Sequence, residues 1–484
     1  MVNEIAIKFG TDGWRGIIAD QFTFRGVKIV SQGVSNYLNK KIDGNKKPFV
    51  VLGYDTRFLS EKFARAAAEV FTLNNITAYL SDRIISTPAL SHAVVERKAD
   101  LGIMITASHN PYYYNGYKIK GSFGSSATMD IIKEVEVEVS EVVKNTPKYE
   151  KFLSFNSESD SNVNIKKVDF LSSYRENILG QVNKDIINGF NFGLLIDPMY
   201  GAAQGIFRDI LQTFNPVNLT EIHSILNPAF GGINPEPIGD NLNEAREVLK
   251  SKKCKMAICL DGDGDRIAAL GEDGNYISSH HIYSIILWYL ASVKKMKGKV
   301  VKSVNLSSTI DKICAKYNLE LVNTPVGFKY IAEEILKGGV VMGGEESGGL
   351  WAGGNLPERD GILMGLKLLE IICNSGMSIN QILNQIYNEF GYFVFNRIDY
   401  EINQEQKEKL KSILEKGIPE ILKEAGAEKV ITLDGYKYIM EDSSWIMIRP
   451  SGTEAVVRIY TEGGSEEKTN YLQGLGRKII NSVF

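Results

Sequence analysis

Cysteine is scarce in this chain of 484 residues, which contains four cysteines and no CxxC pair. So few thiols in a chain of this size favour buried, reduced cysteines over a disulfide framework or a zinc site. An excess of basic residues is also missing, because the formal net charge is −3. That balance argues against a protein that binds nucleic acid or an anionic membrane surface, since either would need a basic patch.

Long apolar runs are lacking as well. The N-terminus carries Glu4 and Lys8 and has no pattern typical of a secretory signal. The uncharged stretch 276–293 contains several serines and the pair His280-His281, so it predicts a buried helix rather than a membrane span. We therefore expect a cytoplasmic protein. The two adjacent histidines are expected to serve helix packing or to lie at the surface.

Two catalytic signatures are absent from the sequence. No serine lies in a GxSxG segment, which argues against a hydrolase of the Ser-His-Asp type. No GxxxxGK[ST] segment is present either, which argues against an ATP-dependent kinase with a phosphate-binding loop.

A short apolar strand followed by a polar loop recurs along the chain, at residues 49–57, 101–111, 192–202, 256–266 and 339–349. This recurrence predicts three related α/β domains. After a helical connector near 378–390, alternating strands predict a fourth, antiparallel unit with helices. The Ser/Asn-rich stretch 145–167 predicts a linker. The expected domains are 1–150, 160–265, 266–375 and 390–484.

Residues 106–111 (TASHNP) follow an apolar strand predicted at 101–105. Ser108 would then lie beyond the carboxyl end of an interior strand, where open α/β sheets bind their ligands. Alternation in the next strand places Lys118 and Lys120 on one face. Ser108 is therefore either a nucleophile with a basic partner or an ordinary turn residue.

Residues 261–266 (DGDGDR) carry three carboxylates at alternate positions, separated by glycines. Such a segment predicts a site for one hard cation, with a solvated acidic turn as the alternative. An EF-hand is excluded because Arg266 occupies the position that needs glycine and because the flanks predict strands. Three carboxylates without further obvious ligands favour Mg²⁺.

Three further loops allow two interpretations each. Residues 449–454 (RPSGTE) are typical of a phosphate cradle or of a β-turn. Residues 344–349 (GEESGG) suit paired sugar hydroxyls or a glycine-rich turn. Arg15, in the segment 9–16 (FGTDGWRG), would contact a phosphate on the serine or lie at the surface.

Taken together and in this order, these loops resemble those of the α-D-phosphohexomutase family, specifically a phosphoglucomutase/phosphomannomutase. The resemblance spans nearly the whole chain. It implies a fold of three α/β/α domains with mixed sheets and a C-terminal α+β domain with a small antiparallel sheet, arranged around a central cleft. It also implies that Ser108 is phosphorylated in the active enzyme and that the protein is an isomerase.

The resemblance implies roles for individual residues. The implied catalytic residues are Ser108, Lys118, Arg15, His109 and Arg266, with Lys118 as the general base. The implied Mg²⁺ ligands are Ser108, Asp261, Asp263 and Asp265. The implied substrate-binding residues are Gly327, Glu345, Ser347, Arg359, Arg449, Ser451, Gly452 and Thr453. Among these, Glu345 and Ser347 would bind sugar hydroxyls, and the residues from 449 onward would hold the phosphate that does not react.

The implied reaction interconverts hexose 1-phosphate and hexose 6-phosphate through a hexose 1,6-bisphosphate, which also acts as activator. Glucose and mannose are the expected sugars, because phosphoglucosamine mutases usually carry a glutamine in the sugar loop and Gly-Asp where this chain has Gly327-Phe328. Gly349 and Arg359 depart from some glucose/mannose enzymes and leave the preference between these sugars open. The expected partners are small sugar phosphates, and the expected state is a monomer or homodimer.

Three alternatives remain at this point: a phosphoglucosamine mutase, a non-catalytic sugar-phosphate binding protein, and a serine phosphatase. The second is disfavoured because Ser108, Lys118 and the three aspartates are all present. A phosphatase would have little use for a sugar loop and a remote phosphate cradle.

Overall fold

The computed structural model describes residues 7–10, 13–42, 46–154, 165–188, 190–214, 218–354, 356–452 and 455–483. Its contacts divide the chain into two compact units. The first comprises Met1–Ser279 and Ser347–Ile379, and the second comprises His280–Glu346 and Asn380–Phe484. The chain therefore leaves the first unit after Ser279, returns to it at Ser347 and leaves it again after Ile379.

The first sheet belongs to the first unit and has the order β1-β5-β4-β2-β3-β6. Its elements are β1 (Trp14–Ile17), α1 (Phe24–Lys41), β2 (Phe49–Tyr54), α2 (Ser60–Leu73), β3 (Thr77–Ser81), α3 (Thr87–Glu96), β4 (Leu101–Ile105), β5 (Tyr114–Gly121), α4 (Met129–Lys144), α5 (Thr146–Leu153) and β6 (Lys166–Val168). Strands β2, β3, β4 and β6 are parallel neighbours, whereas β5 runs antiparallel to both β4 and β1. The sheet is mixed, as predicted.

Helix α1 follows the predicted apolar period. Thr23 caps its first turn by accepting a hydrogen bond from a backbone N–H, and Val27, Val30, Val34 and Leu38 are buried. Helix α4 forms although its β-branched residues weaken helix propensity, because Val135, Val139 and Val142 bury an apolar face. Packing of the two helices thus overrides local propensity.

The expected linker at 145–167 contains regular structure, which corrects that prediction. Helix α5 begins at Thr146, and β6 adds a parallel strand beside β3. Two apolar side chains of α5, Tyr149 and Leu153, are buried in the core of the first sheet, which the Ser/Asn-rich composition did not reveal. The polar stretch 155–164 lies outside the described residues.

The second sheet, also in the first unit, has the order β11-β10-β9-β7-β8. The elements of this region are α6 (Leu171–Leu179), α7 (Lys184–Ile187), β7 (Leu194–Asp197), α8 (Ile206–Leu211), β8 (Leu219–Glu221), two 3₁₀ turns (Phe230–Gly232 and Gly239–Leu242), α9 (Asn243–Ser251), β9 (Met256–Leu260), β10 (Ile267–Gly271) and β11 (Tyr276–Ile277). Strand β10 returns antiparallel along β9, with Ile267 opposite Leu260. Residues 261–266 are therefore the turn between two paired strands.

This pairing differs from the expected boundary between residues 265 and 266. Two strands beyond that point, β10 and β11, remain in the second sheet because they complete an antiparallel meander with β9. The apolar helix at 361–375, expected in the third domain, also packs on β9 and β10. Its Gly365 approaches Phe207 and Ile258 so closely that a Cβ would lie 2.8 Å and 3.0 Å from them.

The third sheet contains parallel strands in the order β13-β12-β14. The elements of this region are α10 (Ser279–Ser292), β12 (Lys299–Ser303), α11 (Thr309–Tyr317), β13 (Glu320–Thr324), α12 (Phe328–Leu336), β14 (Val340–Gly344), β15 (Leu350–Ala352), α13 (Gly361–Ser375) and α14 (Ile379–Phe390). Helix α10 is buried, and the His280 and His281 rings pack on Phe395 and Phe393. This confirms the predicted packing role of the two histidines.

The C-terminal region forms an antiparallel sheet in the order β16-β20-β19-β18-β17. Its elements are β16 (Val394–Glu401), α15 (Gln404–Leu414), α16 (Glu420–Glu424), β17 (Ala427–Ile431), β18 (Tyr436–Met440), β19 (Trp445–Pro450), β20 (Val456–Gly463) and α17 (Glu466–Asn481). The predicted fold class of three α/β domains and a C-terminal α+β domain is confirmed.

The described part of the chain bears on two expectations drawn from composition, the state of the cysteines and the lack of a membrane span. All four cysteines are free, and three of them are buried. Among the described helices, no single one combines the length and apolar character needed to cross a membrane; the consecutive helices α13 and α14 meet that criterion only as a bent pair.

Candidate active site

Ser108 lies in the loop that follows β4, and its side chain is fully buried. Its φ of 53° is in the left-handed region, where a residue other than glycine is held only by its surroundings. The backbone N–H of Ser108 donates to Oγ1 of Thr106 at 2.9 Å. Its hydroxyl donates to Oδ2 of Asp261 at 2.9 Å, so the predicted nucleophile lies against the predicted cation loop.

Arg57 holds the serine loop in this conformation. Its guanidinium donates to the carbonyl oxygens of Ser108, Asn110, Pro111 and Tyr114, at 2.6–3.1 Å. Both Arg57 and its ion-pair partner Asp55 are buried. One fixed guanidinium thus satisfies four buried carbonyl groups that regular structure would otherwise have to satisfy.

The turn between β9 and β10 brings three carboxylates together. The side chains of Asp261, Asp263 and Asp265 are fully buried, and one oxygen of each lies within 4.8 Å of the others. Oδ1 of Asp261 accepts hydrogen bonds from the backbone N–H groups of Asp265 and Arg266. The alternation predicted by the sequence therefore becomes one acidic cluster.

The donor set of this cluster fits a cation. Oδ1 of Asp263 and Oδ1 of Asp265 are buried and have no hydrogen-bond partner among the described residues. Burial, followed by the charges of Asp265 and Asp263, raises the pKa of Asp261 well above its usual value. A bound cation would remove both penalties, because it supplies the partner that the two oxygens lack and offsets the mutual repulsion. The cluster could hold a metal ion.

Lys118 projects from β5 into the same cluster. Its Nζ lies 2.9 Å from Oδ2 of Asp263 and 3.4 Å from Oδ2 of Asp265, and the side chain is buried. Although burial acts to raise the pKa of Asp263, Lys118 and a hydrogen bond from Thr87 outweigh it and lower that pKa. Nε of Arg359 lies 2.8 Å from Oδ2 of Asp265. Arg359, predicted to bind substrate, thus contacts the aspartate cluster.

The remaining predicted catalytic residues lie around the serine. Nη1 of Arg15 donates to Oδ1 of Asn110 at 2.5 Å. Nδ1 of His109 lies 3.4 Å from the Ser108 hydroxyl, and burial together with the nearby charges of Arg266 and Arg15 lowers the pKa of His109 well below its usual value. Its imidazole is therefore neutral at physiological pH.

Arg266 also lies near two carboxylates. Its Nη1 lies 3.3 Å from Glu236, and its Nε lies 4.0 Å from Oδ2 of Asp261. From the predicted sugar loop, Gly348, the residue after Ser347, lies beside this arginine. A Cβ on Gly348 would lie 3.4 Å from Cβ of Arg266, and the Gly348 carbonyl accepts a hydrogen bond from the backbone of Ile267. The buried hydroxyl oxygen of Ser347 has no partner among the described residues.

The segment 358–360 joins several of these parts. Glu358 accepts from Nζ of Lys120 at 2.5 Å and from the hydroxyl of Ser91 at 3.1 Å. Asp360 caps helix α13 and accepts from the phenol of Tyr174, and burial raises its pKa to about 7. With Arg359 on Asp265, three successive buried charges connect this segment to both sheets of the first unit.

The second unit contains the other predicted substrate residues. Arg449 lies near the end of β19, and its Nε donates to Oδ2 of Asp434 at 2.9 Å. Ser451 is buried, and its carbonyl accepts from Nζ of Lys407, whereas Gly452 is exposed. Thr453 lies outside the described residues. Gly327 precedes helix α12 with a φ of 130°, and Glu345 is buried at the end of β14.

Several residues with structural roles at the site were missed by sequence analysis. They are Asp55, Arg57, Thr87, Glu358 and Asp434. An arginine two residues after an aspartate at the end of a strand is a weak signal for Arg57. For Thr87 and Glu358, no local pattern identifies the partner, because their contacts span 176 and 238 positions.

Comparison with known families gives four matches in chain order. The models are phosphoglucomutase/phosphomannomutase alpha/beta/alpha domain I at residues 6–146, domain II at 172–274, domain III at 278–390 and the C-terminal domain at 401–474. Together these matches cover most of the chain.

Individual proteins match over nearly their whole length. A phosphoglucosamine/phosphogalactosamine mutase of Sulfurisphaera tokodaii is 30% identical over 475 residues, which are 98% of each chain. A phosphoglucomutase/phosphomannomutase of Thermococcus kodakarensis is 27% identical over the same share of both chains. Other relatives of similar identity are named phosphoglucosamine mutase. A crystal structure from Thermus thermophilus, assigned as a phosphomannomutase, has 30% identity and a TM-score of 0.83, covering 98% of this chain and 99% of that one.

Proposed function

Because the chain belongs to the phosphoglucomutase/phosphomannomutase family, whose members are intramolecular phosphotransferases, we propose that it moves a phosphoryl group between O1 and O6 of a hexose by way of Ser108. The observation that carries the proposal is the 2.9 Å contact between the Ser108 hydroxyl and Asp261. It joins a nucleophile on the first sheet to a cation loop on the second. A phosphoryl group on this serine would lie beside Lys118 and the aspartates.

In the first half of the reaction the bond between phosphorus and the Ser108 oxygen breaks, and a bond between phosphorus and a sugar hydroxyl oxygen forms. Lys118 takes up the hydroxyl proton as that bond forms, and a proton is delivered to the Ser108 oxygen that leaves the phosphorus. The product is a hexose 1,6-bisphosphate, which turns over and returns its other phosphoryl group to Ser108. Arg15, Arg266 and the neutral His109 surround the transferred group and stabilise its charge.

Asp261, Asp263 and Asp265, with an oxygen of phosphorylated Ser108, are the proposed ligands of Mg²⁺. The bound ion supplies positive charge against the phosphoryl oxygens. Mg²⁺ suits this site because it takes oxygen ligands from a few carboxylates and shares the rest with phosphate. Oδ1 of Asp263 and Oδ1 of Asp265, which are buried and have no hydrogen-bond partner in the described part of the chain, support this assignment.

Residues of the second unit are proposed to hold the part of the substrate that does not react. Arg449, Ser451, Gly452 and Thr453 bind the distal phosphate, as a guanidinium beside turn N–H groups and hydroxyls can do. Glu345 binds sugar hydroxyls, a role also proposed for Ser347 of the first unit, and Gly327 gives the backbone of its loop close access to the ligand. Arg359 is proposed to act through Asp265 as well as on substrate.

Glucose 1-phosphate and mannose 1-phosphate are the proposed substrates, since Gly327-Phe328 and the sugar loop lack the residues typical of phosphoglucosamine mutases. Glucosamine 1-phosphate is the second candidate. It is favoured by the phosphoglucosamine mutases among the relatives of similar identity.

A substrate panel tests the proposal. Each of the three sugar 1-phosphates is incubated with the protein, Mg²⁺ and the matching hexose 1,6-bisphosphate, and formation of the 6-phosphate is measured. Ser108→Ala should lower kcat by about three orders of magnitude or more while leaving the protein folded. The matched control Ser122→Ala changes an exposed hydroxyl beyond β5 and should keep wild-type kcat. Failure of all three sugars, or substantial turnover by Ser108→Ala, would overturn the proposal.

A further inference from the structure

The predicted phosphate loop and the loop around Gly327 are joined by one carboxylate. Oδ2 of Asp434 accepts a hydrogen bond from Nε of Arg449 at 2.9 Å and another from the backbone N–H of Val326, also at 2.9 Å. Both contacts lie within the second unit. A single oxygen of the C-terminal domain therefore fixes a side chain on its own sheet and a backbone group on the third α/β domain.

The turn that carries Asp434 is built for this approach. Gly435 has a φ of 87°, and a Cβ there would lie 2.9 Å from the carbonyl oxygen of Ile448 and 3.0 Å from Arg449. Only glycine avoids both the strained φ and this overlap. The turn between β17 and β18 is thereby pressed onto the end of β19, which brings the Asp434 carboxylate beside the Arg449 guanidinium.

The partner of that carboxylate on the third domain is also firmly held. Trp445, Met447 and Tyr460 pack with Val304 in an apolar cluster against which Val326 is placed. Nζ of Lys437, buried above the Trp445 ring, donates to the carbonyl oxygen of Val304 at 2.8 Å. Val326 thus provides a fixed reference for Asp434 rather than a loosely placed contact.

The geometry of Arg449 points to a directing role. Among the described residues, Arg449 makes one hydrogen bond, from Nε to Asp434, and the edge formed by its two terminal nitrogens is not used in that bond. A guanidinium held by one edge presents the other edge to an anion in a fixed orientation. Holding it before the ligand arrives reduces the entropy lost on binding.

We propose that Asp434 is a positioning residue that orients Arg449 toward phosphate and ties that orientation to the loop around Gly327. This rests on the proposed role of Arg449 in binding the distal phosphate. Since that phosphate is bound in both the ground state and the transition state, loss of Asp434 should act mainly on KM. Asp434→Ala should raise KM about tenfold with kcat changed less than about threefold.

The conservative variant separates orientation from charge. Asp434→Asn keeps an oxygen that accepts from both partners, so it should keep KM within about threefold of wild type. The matched control is Asp442→Ala, in the next turn of the same sheet, whose carboxylate pairs with Lys468 and precedes the start of β19, whereas Arg449 lies near the other end of that strand. It should leave KM and kcat unchanged.

A double-mutant cycle with Arg449→Ala distinguishes positioning from general structural support. If Asp434 acts through Arg449, Asp434→Ala should add little to KM in the Arg449→Ala background. Urea unfolding of every variant checks that the fold is intact. An equal effect of Asp434→Ala with and without Arg449, or an unchanged KM, would overturn the proposal.

Binding of glucose 6-phosphate, measured by calorimetry, gives a readout that does not depend on turnover. Weaker binding by Asp434→Ala than by wild type supports the proposal even if the panel of sugars reveals no mutase activity, so the two failures are distinguishable. Equal binding by both proteins, or no binding by wild type, overturns it.

Discussion

The Ser108 hydroxyl donates a 2.9 Å hydrogen bond to Oδ2 of Asp261, a residue 153 positions further along the chain. Each partner is buried, and each lies in a loop at the end of a strand of a different sheet. The contact makes the position of the serine depend on the aspartate cluster.

Mg²⁺ should stabilise the folded protein, because the cluster contains buried carboxylate oxygens without partners among the described residues. At about one hundred times its dissociation constant, the ion should add about 2.7 kcal/mol to the free energy of unfolding. Thermal unfolding with and without MgCl₂ measures this. The double variant Asp263→Asn/Asp265→Asn should lose the response, whereas Asp240→Asn, at an exposed position, should keep it. An unchanged response in the double variant would exclude this site.

Arg57→Ala should destabilise the first unit by about 3–5 kcal/mol, because it leaves Asp55 as a buried charge and removes the donors of four carbonyl groups. It should also lower kcat, since the Ser108 backbone would leave its left-handed conformation. Urea unfolding and activity assays measure the two effects. The control Arg25→Ala breaks a pair that is 43% and 48% exposed and should cost no more than about 1 kcal/mol. Comparable losses of stability in both variants would contradict the role of Arg57 in holding the serine loop.

Lys120 and Glu358 should show strong coupling in a double-mutant cycle. Lys120→Met alone should lower the free energy of unfolding by about 3 kcal/mol, because it leaves the buried Glu358 carboxylate without its cationic partner. Lys120→Met combined with Glu358→Gln should cost less than the sum of the single changes. The exposed pair of Lys41 and Glu134 serves as the comparison and should couple by no more than about 1 kcal/mol. If the losses in the free energy of unfolding were additive for the buried pair, Lys120 and Glu358 would not be coupled.

His223 should make stability depend on pH. Although burial acts to lower its pKa, hydrogen bonds and charge from Asp197 and Glu244 outweigh it and raise the pKa of His223 to about 8. The stability that protonated His223 contributes is fully present below the unfolded-state pKa of about 6.5 and is lost as pH rises through about 8. Between about pH 6 and about pH 9 the free energy of unfolding should fall by about 1–2 kcal/mol from this group.

The difference between wild type and His223→Gln isolates that contribution, because other titrating groups act equally in both proteins. Urea unfolding at a series of pH values gives the two curves. The difference should shrink as pH rises across this window. A constant difference would show that the pKa of His223 is the same in the folded and unfolded protein.

The parts of the site that depend on local sequence could be predicted. The apolar runs 101–105 and 256–260 form the strands β4 and β9, and the loops that follow them carry Ser108 and the aspartates. Alternate spacing was enough to predict a single acidic cluster in the turn after β9. The assembly of these loops into one family pattern came from their order along the chain.

The other features of the fold and the site could not be predicted, because they depend on contacts between distant parts of the chain. The return of β10 along β9 and the packing of α13 on both strands moved structure that was expected in the third domain onto the second sheet. Arg57 was missed because its four partners are backbone carbonyl groups, which leave no trace in residue identity. Arg359 was predicted from its motif to bind substrate, but its contact with Asp265 is visible only in three dimensions.

The segment 358–360 has a consequence for how the protein is made. On the ribosome, Lys120 and Asp265 emerge well before Glu358 and Arg359, since residues 280–346 of the second unit are synthesised in between. Domains generally fold as they emerge, from the N-terminus onward. The contacts of Lys120 with Glu358 and of Asp265 with Arg359 can therefore form only after residues 280–346 have been translated, so the candidate site is completed late in synthesis.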